Sequence, residues 1–232
     1  GFLLGKKNSG KSTYSKLFME AVGAERVAHL SVGDIVRHTH RDFSDDTRKK
    51  ELLGFLEKHY RGKLPLGQTI DALLGRDTTV LLPTEFILAL VEREIDRLGR
   101  KAIFIDGFPR NLDQVSYSLY FRSLIGYRND PDFFVFINLP EAVINERMKY
   151  RVVCPKCQTP RNLKLYRTRD IGYDEKQKQF YLICDNAACN GAVMVSKEGD
   201  ELGVEAMRER MELDKAVMGR LLELEGVPKI FL

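Results

Sequence analysis

With 232 residues, 44% of them hydrophobic and 9% aromatic, the chain has the composition of a globular protein with one full core and room for a small added module, which excludes a disordered chain. Its 37 Lys and Arg against 33 Asp and Glu leave a formal charge of +4, far from the dense basic blocks of a nucleic-acid arm, although the mild excess suits small polyanionic substrates. No apolar run approaches the roughly 18 residues of a membrane span and no basic-then-apolar leader is present, so a cytoplasmic protein with neither a membrane nor a nucleic-acid partner is expected. The chain opens inside an expected strand and stops at the strand-like VPKIFL, so an excerpt of a longer protein is expected too.

The first apolar run, Phe2-Leu3-Leu4, leads into GKKNSGKST and then into the helix-like YSKLFMEAV. Gly5, Gly10, Lys11 and Ser12 meet the spacing G-x-x-x-x-G-K-[ST] between a buried strand and a helix, the context a phosphate-binding P-loop requires. Glycines let the backbone wrap an anion at a helix N-terminus, Lys11 is expected to reach the β/γ-phosphates, and the Ser12 hydroxyl to face a Mg²⁺ ion. An ordinary Gly-rich turn is the alternative. Further apolar runs at 27–30, 102–105, 133–139 and 230–232, with helical spacing between them, imply five strands in a parallel sheet flanked by helices, an α/β architecture. TEFILALVEREIDRLG predicts a helix that Thr84 caps, with Phe86, Ile87, Leu90, Val91, Ile95 and Leu98 on the apolar face and Gly99 as its stop. GVEAMRERMELDKAVMGRLLELEG predicts a late helix. Two segments, 38–80 and 152–197, interrupt the alternation.

In IFIDGFPR, Asp106 closes a second buried strand, where a P-loop enzyme places the carboxylate that holds a Mg²⁺-bound water. Gly107 and Pro109 then turn the chain at the sheet edge where ligands bind, and Arg110 projects there; a solvated surface arginine is the bland alternative. The second interruption holds all four cysteines, Cys154, Cys157, Cys184 and Cys189, as two close pairs 26 residues apart. That spacing can gather four thiolates around a structural Zn²⁺, while two disulfides or unpaired remnant thiols stay open.

The loop, HLSVGDIVR, IDGFPRNLDQ, NERMKYRVVCPKC and the late MRERM occur in the order found in adenylate kinases, and the chain resembles that family in its long-lid, cysteine-bearing form. The resemblance implies a P-loop NTPase fold with a CORE (1–30, 83–150 and 198–232), an inserted, enlarged NMP-binding subdomain (31–82) and a zinc-ribbon-like LID (151–197). It implies the reaction ATP + AMP ⇌ 2 ADP with Mg²⁺, in a monomer whose partners are small nucleotides. Carried over by position, Asn8, Ser9, Gly10, Lys11, Ser12 and Thr13 would hold the ATP phosphates, with Ser12 and Asp106 associated with Mg²⁺. Arg37 and Arg110 would grip the acceptor monophosphate. The Gly107 backbone, the Gln114 amide, Val32 and Leu82 would meet the acceptor base. Arg147 and Arg151, four apart in a helix and so sharing one face, would lie over the ATP adenine and reach the transferring phosphoryl. Lys11, Arg110, Arg151 and Arg210 would be the catalytic cations.

The sequence departs from the family in places. Lys7-Asn8 stands where the family loop usually has Pro-Gly, Val32 where it usually has Thr, and a lid arginine has only Lys197 as its nearest counterpart, which cannot supply a bidentate fork. Residues 38–80 are about twenty longer than the family needs, and TRKKELLGFLEKHYRGK within them predicts one added amphipathic helix. Two other functions stay open: a kinase acting on UMP, CMP or another small acceptor, which Val32 favours and Gln114 opposes, and a nucleotide-binding switch protein. The loop's N-x-G-K-S-T suits the switch protein, but no base-reading N-K-x-D follows a strand.

Overall fold

The computed structural model describes residues 1–76, 82–116, 124, 132–197, 200, 203 and 205–232; part of the 38–80 interruption (77–80) and Val204 at the start of the expected late helix lie outside them. Two compact units emerge, Gly1–Lys6, Gly10–Asn138 and Leu213–Leu232 in the first, Lys7–Ser9 and Leu139–Glu212 in the second.

In the first unit, strand β1 (Phe2–Gly5) lies at the centre of a five-stranded sheet. Its three consecutive apolar residues are all buried, which only a strand covered on both faces permits. On one side it pairs with β3 (Ala102–Asp106), which pairs with β2 (Val27–Ser31); on the other it pairs with β4 (Phe134–Ile137), which pairs with β10 (Lys229–Phe231). Every pairing is parallel. Leu3 stands in register with Asp106, so β1 and β3 deliver their C-terminal ends to one edge. The five strands are those the apolar runs predict, with ends shifted by a residue or two.

Helices follow where caps and spacing allow. Gly10, at φ +100°, opens α1 (Lys11–Val22), a backbone conformation that glycine adopts without steric cost. The Ser31 hydroxyl accepts from the Asp34 N–H at the start of α2 (Val32–Asp42), and the Asp45 carboxylate accepts from the Arg48 N–H at the start of α3 (Asp46–His59). The added helix predicted in this stretch is therefore present. It buries Leu52 and Leu56 completely, in the same apolar cluster as Phe86, Leu90 and Val91. Tyr60, which ends α3, donates to Leu64 O at 2.9 Å, lies 3.1 Å from Thr69 Oγ1, and so ties down the short α4 (Leu66–Leu73), a helix the sequence pattern does not reveal.

Helix α5 (Thr84–Leu98) carries the expected apolar face and also buries Leu88, Ala89 and Arg93. Its cap corrects the expectation: Pro83 occupies the N-cap with no side-chain bond, and Thr84 is already helical, since proline's fixed φ suits the entry of a helix and leaves no N–H to satisfy. Arg93 is 7% exposed and sits 3.9 Å from Asp42 at the end of α2; burial pushes its pKa down and the Arg97 charge adds to that, while Glu94, Asp42 and Glu51 act against it. Helix α6 (Leu112–Ser116) follows β3.

The second unit is built from α7 (Glu141–Lys149) and short antiparallel strands: β5 (Arg151–Val153) pairs with β6 (Pro160–Asn162) and β9 (Val195–Ser196), and β7 (Ile171–Asp174) with β8 (Gln179–Leu182). The late helix, α8 (Arg208–Leu222), begins after a 3₁₀ turn at Glu205–Met207, and Met207 and Met211 pack on Ile144 and Met148 of α7. Among the described residues no helix is long and apolar enough to cross a membrane.

Because Leu52 is wholly buried in the main cluster, Leu52→Ala should lower the unfolding free energy by about 2–5 kcal/mol. Glu57→Ala, on the exposed side of the same helix, should change it by less than about 0.5 kcal/mol. Denaturant titration checks both.

Candidate active site

The phosphate loop runs from the end of β1 into α1. Asn8 at φ +67° and Gly10 at φ +100° turn its backbone through left-handed conformations. Lys11 folds back over the loop and donates from Nζ to Gly5 O at 2.8 Å and Lys6 O at 3.1 Å. Ser9 is fully buried, and its hydroxyl has no hydrogen-bond partner among the described residues. Thr13 sits in the first turn of α1, its N–H donating to Gly10 O at 2.9 Å. Ser12 Oγ donates to Asp106 Oδ2 at 2.5 Å, linking the loop to the end of β3. His29 Nε2 stands 3.8 Å from the same carboxylate oxygen. Burial pushes the Asp106 carboxyl up, but His29, the Lys11 charge and the Ser12 hydroxyl together outweigh it and hold the pKa below its ordinary value. A hydroxyl and a carboxylate of lowered pKa at one sheet edge are the donor set that a hard, oxygen-seeking cation such as Mg²⁺ takes.

Beyond Asp106 the chain turns at Gly107, φ +87°, where a Cβ would stand 3.5 Å from Arg110 Nε and Nη2 and 3.7 Å from Val32 Cβ. Val32, Gly107 and Arg110 are thus brought together. The Arg110 N–H donates to Gln114 Oε1 at 2.5 Å, and the Gln114 N–H donates to Asn111 Oδ1 at 2.8 Å. This anchors the amide oxygen and leaves its NH₂ to carry donors outward. Arg37 pairs with Asp34 one turn earlier on α2, and its Nη1 lies 3.4 Å from where a Gly33 Cβ would be, so the guanidinium folds back over the helix start. Leu82 is half-buried against the main apolar cluster.

In the second unit Arg147, on α7, donates from Nη1 to Ser9 O at 2.8 Å. Arg151 corrects the sequence expectation. Helix α7 ends at Lys149, and Arg151 is the first residue of β5, not a helical partner of Arg147. The β-branched pair Val152-Val153 explains this, because both residues enter the strand ladder with β6 and β9. From there Arg151 grips the Asp200 carboxylate side-on, Nε to Oδ2 at 2.5 Å and Nη2 to Oδ1 at 2.6 Å, while Nη1 donates to Asn8 Oδ1. Asp200 is a residue that sequence reasoning missed; KEGDEL reads as a surface turn, yet only 8% of Asp200 is exposed. The signal that points to it is Arg151 itself, since a part-buried guanidinium needs a carboxylate. Arg210 lies half-buried on α8. Beside Arg147, an apolar cavity of about 370 Å³ is lined by Ala142, Val143, Glu146, Tyr150, Asn162, Lys164 and Leu165 as well.

The four cysteines are free thiols whose sulfurs all lie within 4.8 Å of one another, with Cys157 and Cys184 3.6 Å apart. Tetrahedral Zn–S bonds of about 2.3 Å would place sulfurs about 3.8 Å apart, so the set fits a closed zinc site. The thiols' acidities diverge. Burial pushes Cys157 up, but the hydroxyl and backbone of Thr159 and neighbouring thiols outweigh it and bring it down to about 6; burial and the other thiols push Cys189 up to about 12. Four thiols this close do not all ionise without a cation among them.

Models of protein families match nothing in this chain. Individual proteins do. The chain is 30% identical over 215 residues to an adenylate kinase of Clostridium novyi (strain NT), covering 91% of this chain and 79% of that protein. It is 28% identical over 215 residues to an adenylate kinase of Clostridium tetani, with the same two shares, 91% and 79%. Against an adenylate kinase of Hydrogenobaculum sp. it is 28% identical over 187 residues, 80% of this chain and 71% of that one. Together with the central parallel sheet, the glycine-bearing loop at its edge and the four-cysteine cluster, these likenesses show that the chain belongs to the adenylate kinase family.

Proposed function

We propose that the protein transfers the terminal phosphoryl group of ATP to AMP, giving two ADP, and is organised as the CORE, NMP-binding and LID parts named above. The observation that carries the reading is the Ser12–Asp106 bond beside Lys11, which joins the phosphate loop to a carboxylate of depressed pKa at the sheet edge. Phosphoryl transfer brings two polyanions together, so the protein's work is alignment and the stabilisation of charge on the moving group. The backbone of residues 8–13 wraps the ATP phosphates and Lys11 moves from its loop carbonyls onto them. Ser12 and Asp106 would hold Mg²⁺, which would supply neutralising charge to the phosphate oxygens. Arg147 lies against the ATP base, for which the neighbouring apolar cavity has room.

On the acceptor side Arg110 and Arg37 bind the monophosphate. The Arg37–Asp34 pair is more than half exposed, with side chains at 59% and 51%, so a phosphate displaces Asp34 at little cost. Gln114, with its oxygen anchored on the Arg110 N–H, turns its NH₂ toward a base acceptor such as adenine N1. Val32 and Leu82 supply apolar surface to the base. Arg151 and Arg210 approach the transferring group, and no covalent nucleophile is needed. A pyrimidine monophosphate acceptor is the second reading, favoured by buried Val32, which offers no hydroxyl to the base.

The four cysteines hold one Zn²⁺, whose role is to fold the lid. The small apolar cluster around them is Val152, Leu182, Met194 and cysteines, too little to fix one geometry without a metal. A closed thiolate site has no open position for chemistry.

Lys11→Ala and Arg110→Ala should each reduce ADP formation by about 10³-fold or more while circular dichroism and melting stay near wild type. In an acceptor screen with labelled ATP and Mg²⁺, AMP should give the largest kcat/KM; a larger value for CMP or UMP would replace the first reading with the second. Elemental analysis of protein purified without chelator should find about one zinc per chain, and Cys184→Ser should lose it and lower activity at temperatures where the main sheet still holds, as read by circular dichroism.

A further inference from the structure

We infer that Asn8 and Asp200 are positioning residues for Arg151: together they hold its guanidinium in one orientation before any phosphate arrives. The inference rests on the phosphotransfer reading, in which Arg151 meets the transferring group. Three bonds define the arrangement. Asp200 takes the side edge of the guanidinium through Nε and Nη2, and Asn8 Oδ1 takes Nη1. The remaining donors, one on Nη1 and one on Nη2, are left for a phosphoryl oxygen. A guanidinium held at both of these places cannot rotate about its long side chain, so its ordering need not accompany the chemical step.

Each holder is itself fixed by backbone. The Asp200 N–H donates to Lys197 O and its carbonyl accepts from the Gly203 N–H, both at 3.1 Å, and it is 8% exposed. Asn8 sits at φ +67° within the phosphate loop, a conformation an Asn tolerates and most residues do not. Its Nδ2 is buried with no hydrogen-bond partner among the described residues. A buried amide donor left unsatisfied costs free energy unless something arrives to accept from it. On a loop built for anions, that acceptor is a phosphate oxygen. The side chain of Asn8 thus does two things, orienting Arg151 through Oδ1 and offering Nδ2 to the same anion. A glycine at this place could do neither.

The sign of Asp200's effect separates positioning from simple attraction. Its carboxylate lowers the net charge near the phosphates, so Asp200→Asn should leave ATP binding unchanged or stronger while the loosened arginine slows turnover. We expect Asp200→Asn and Asn8→Gly each to lower kcat about tenfold or more, with KM for ATP within about twofold of wild type or lower in Asp200→Asn and raised in Asn8→Gly, which also loses the Nδ2 donor to the anion. Glycine at φ +67° relieves backbone strain, so Asn8→Gly should melt no lower than wild type, and lost activity in it cannot be lost folding. The decisive arm repeats both substitutions in an Arg151→Ala background, where Asp200→Asn should change kcat by less than about twofold and Asn8→Gly by clearly less than it does beside Arg151, because the group they act through is gone. Single variants with kcat within about twofold of wild type, or losses that persist undiminished without Arg151, would overturn the inference. Wild-type protein that forms no ADP would overturn the phosphotransfer reading and this one together, whereas active wild type with indifferent variants overturns this one alone.

Discussion

Everything in the first unit depends on the parallel pairing of β1 with β3. Because both strands run the same way and Leu3 lies opposite Asp106, the chain leaves β1 for its phosphate loop within reach of the carboxylate that closes β3, and the Ser12 hydroxyl completes the link. An antiparallel partner would carry that carboxylate to the far edge. The burial of β1 and β4 fixes this arrangement, since their apolar side chains have no stable alternative to a sheet covered on both faces. Charge is then arranged on a scaffold that cannot shift: Lys11, Asp106 and Arg110 all hang from the ends or immediate continuations of buried strands.

The second unit obeys a different constraint. Among its short strands the buried side chains are few, and the four cysteines make up much of the cluster they form. The cysteine spacing is therefore also the fold's spacing, and the strand that begins at Arg151 ends one residue before Cys154. Position of the arginine and integrity of the thiolate cluster are coupled along a single short strand.

The parallel sheet was legible in the sequence because strands buried on both faces read as uninterrupted apolar runs, and the phosphate loop because its spacing has a geometric cause. The cysteine cluster was legible for the same reason. Helix α3 was visible through Leu52 and Leu56 at helical spacing, but α4, eight residues with a Gly inside, carried too short a period to be seen. Arg151 was misplaced on a helix because α7 ends at Lys149 without a glycine or proline to mark the stop, and the β-branched pair that follows was the only local sign. Asp200 was invisible because a carboxylate in a polar turn looks exposed until the guanidinium it meets, 49 residues earlier, is brought to it. Thr84 looked like a cap by type, but Pro83 had already set the helix entry.

The burial of helix α3 has a consequence for what this chain can lose. Its leucines close over the same cluster as α5, Tyr60 at its end meets Phe86 edge-on at 6.0 Å, and Arg93 sits buried beside Asp42, with Glu51 of α3 adding to the charge that balances it. Deleting α3 would bare Phe86 and strip a buried guanidinium of part of its counter-charge at one stroke. Point substitutions can retune α3's exposed face, but the helix as a whole is part of the main core and not an appendage to it.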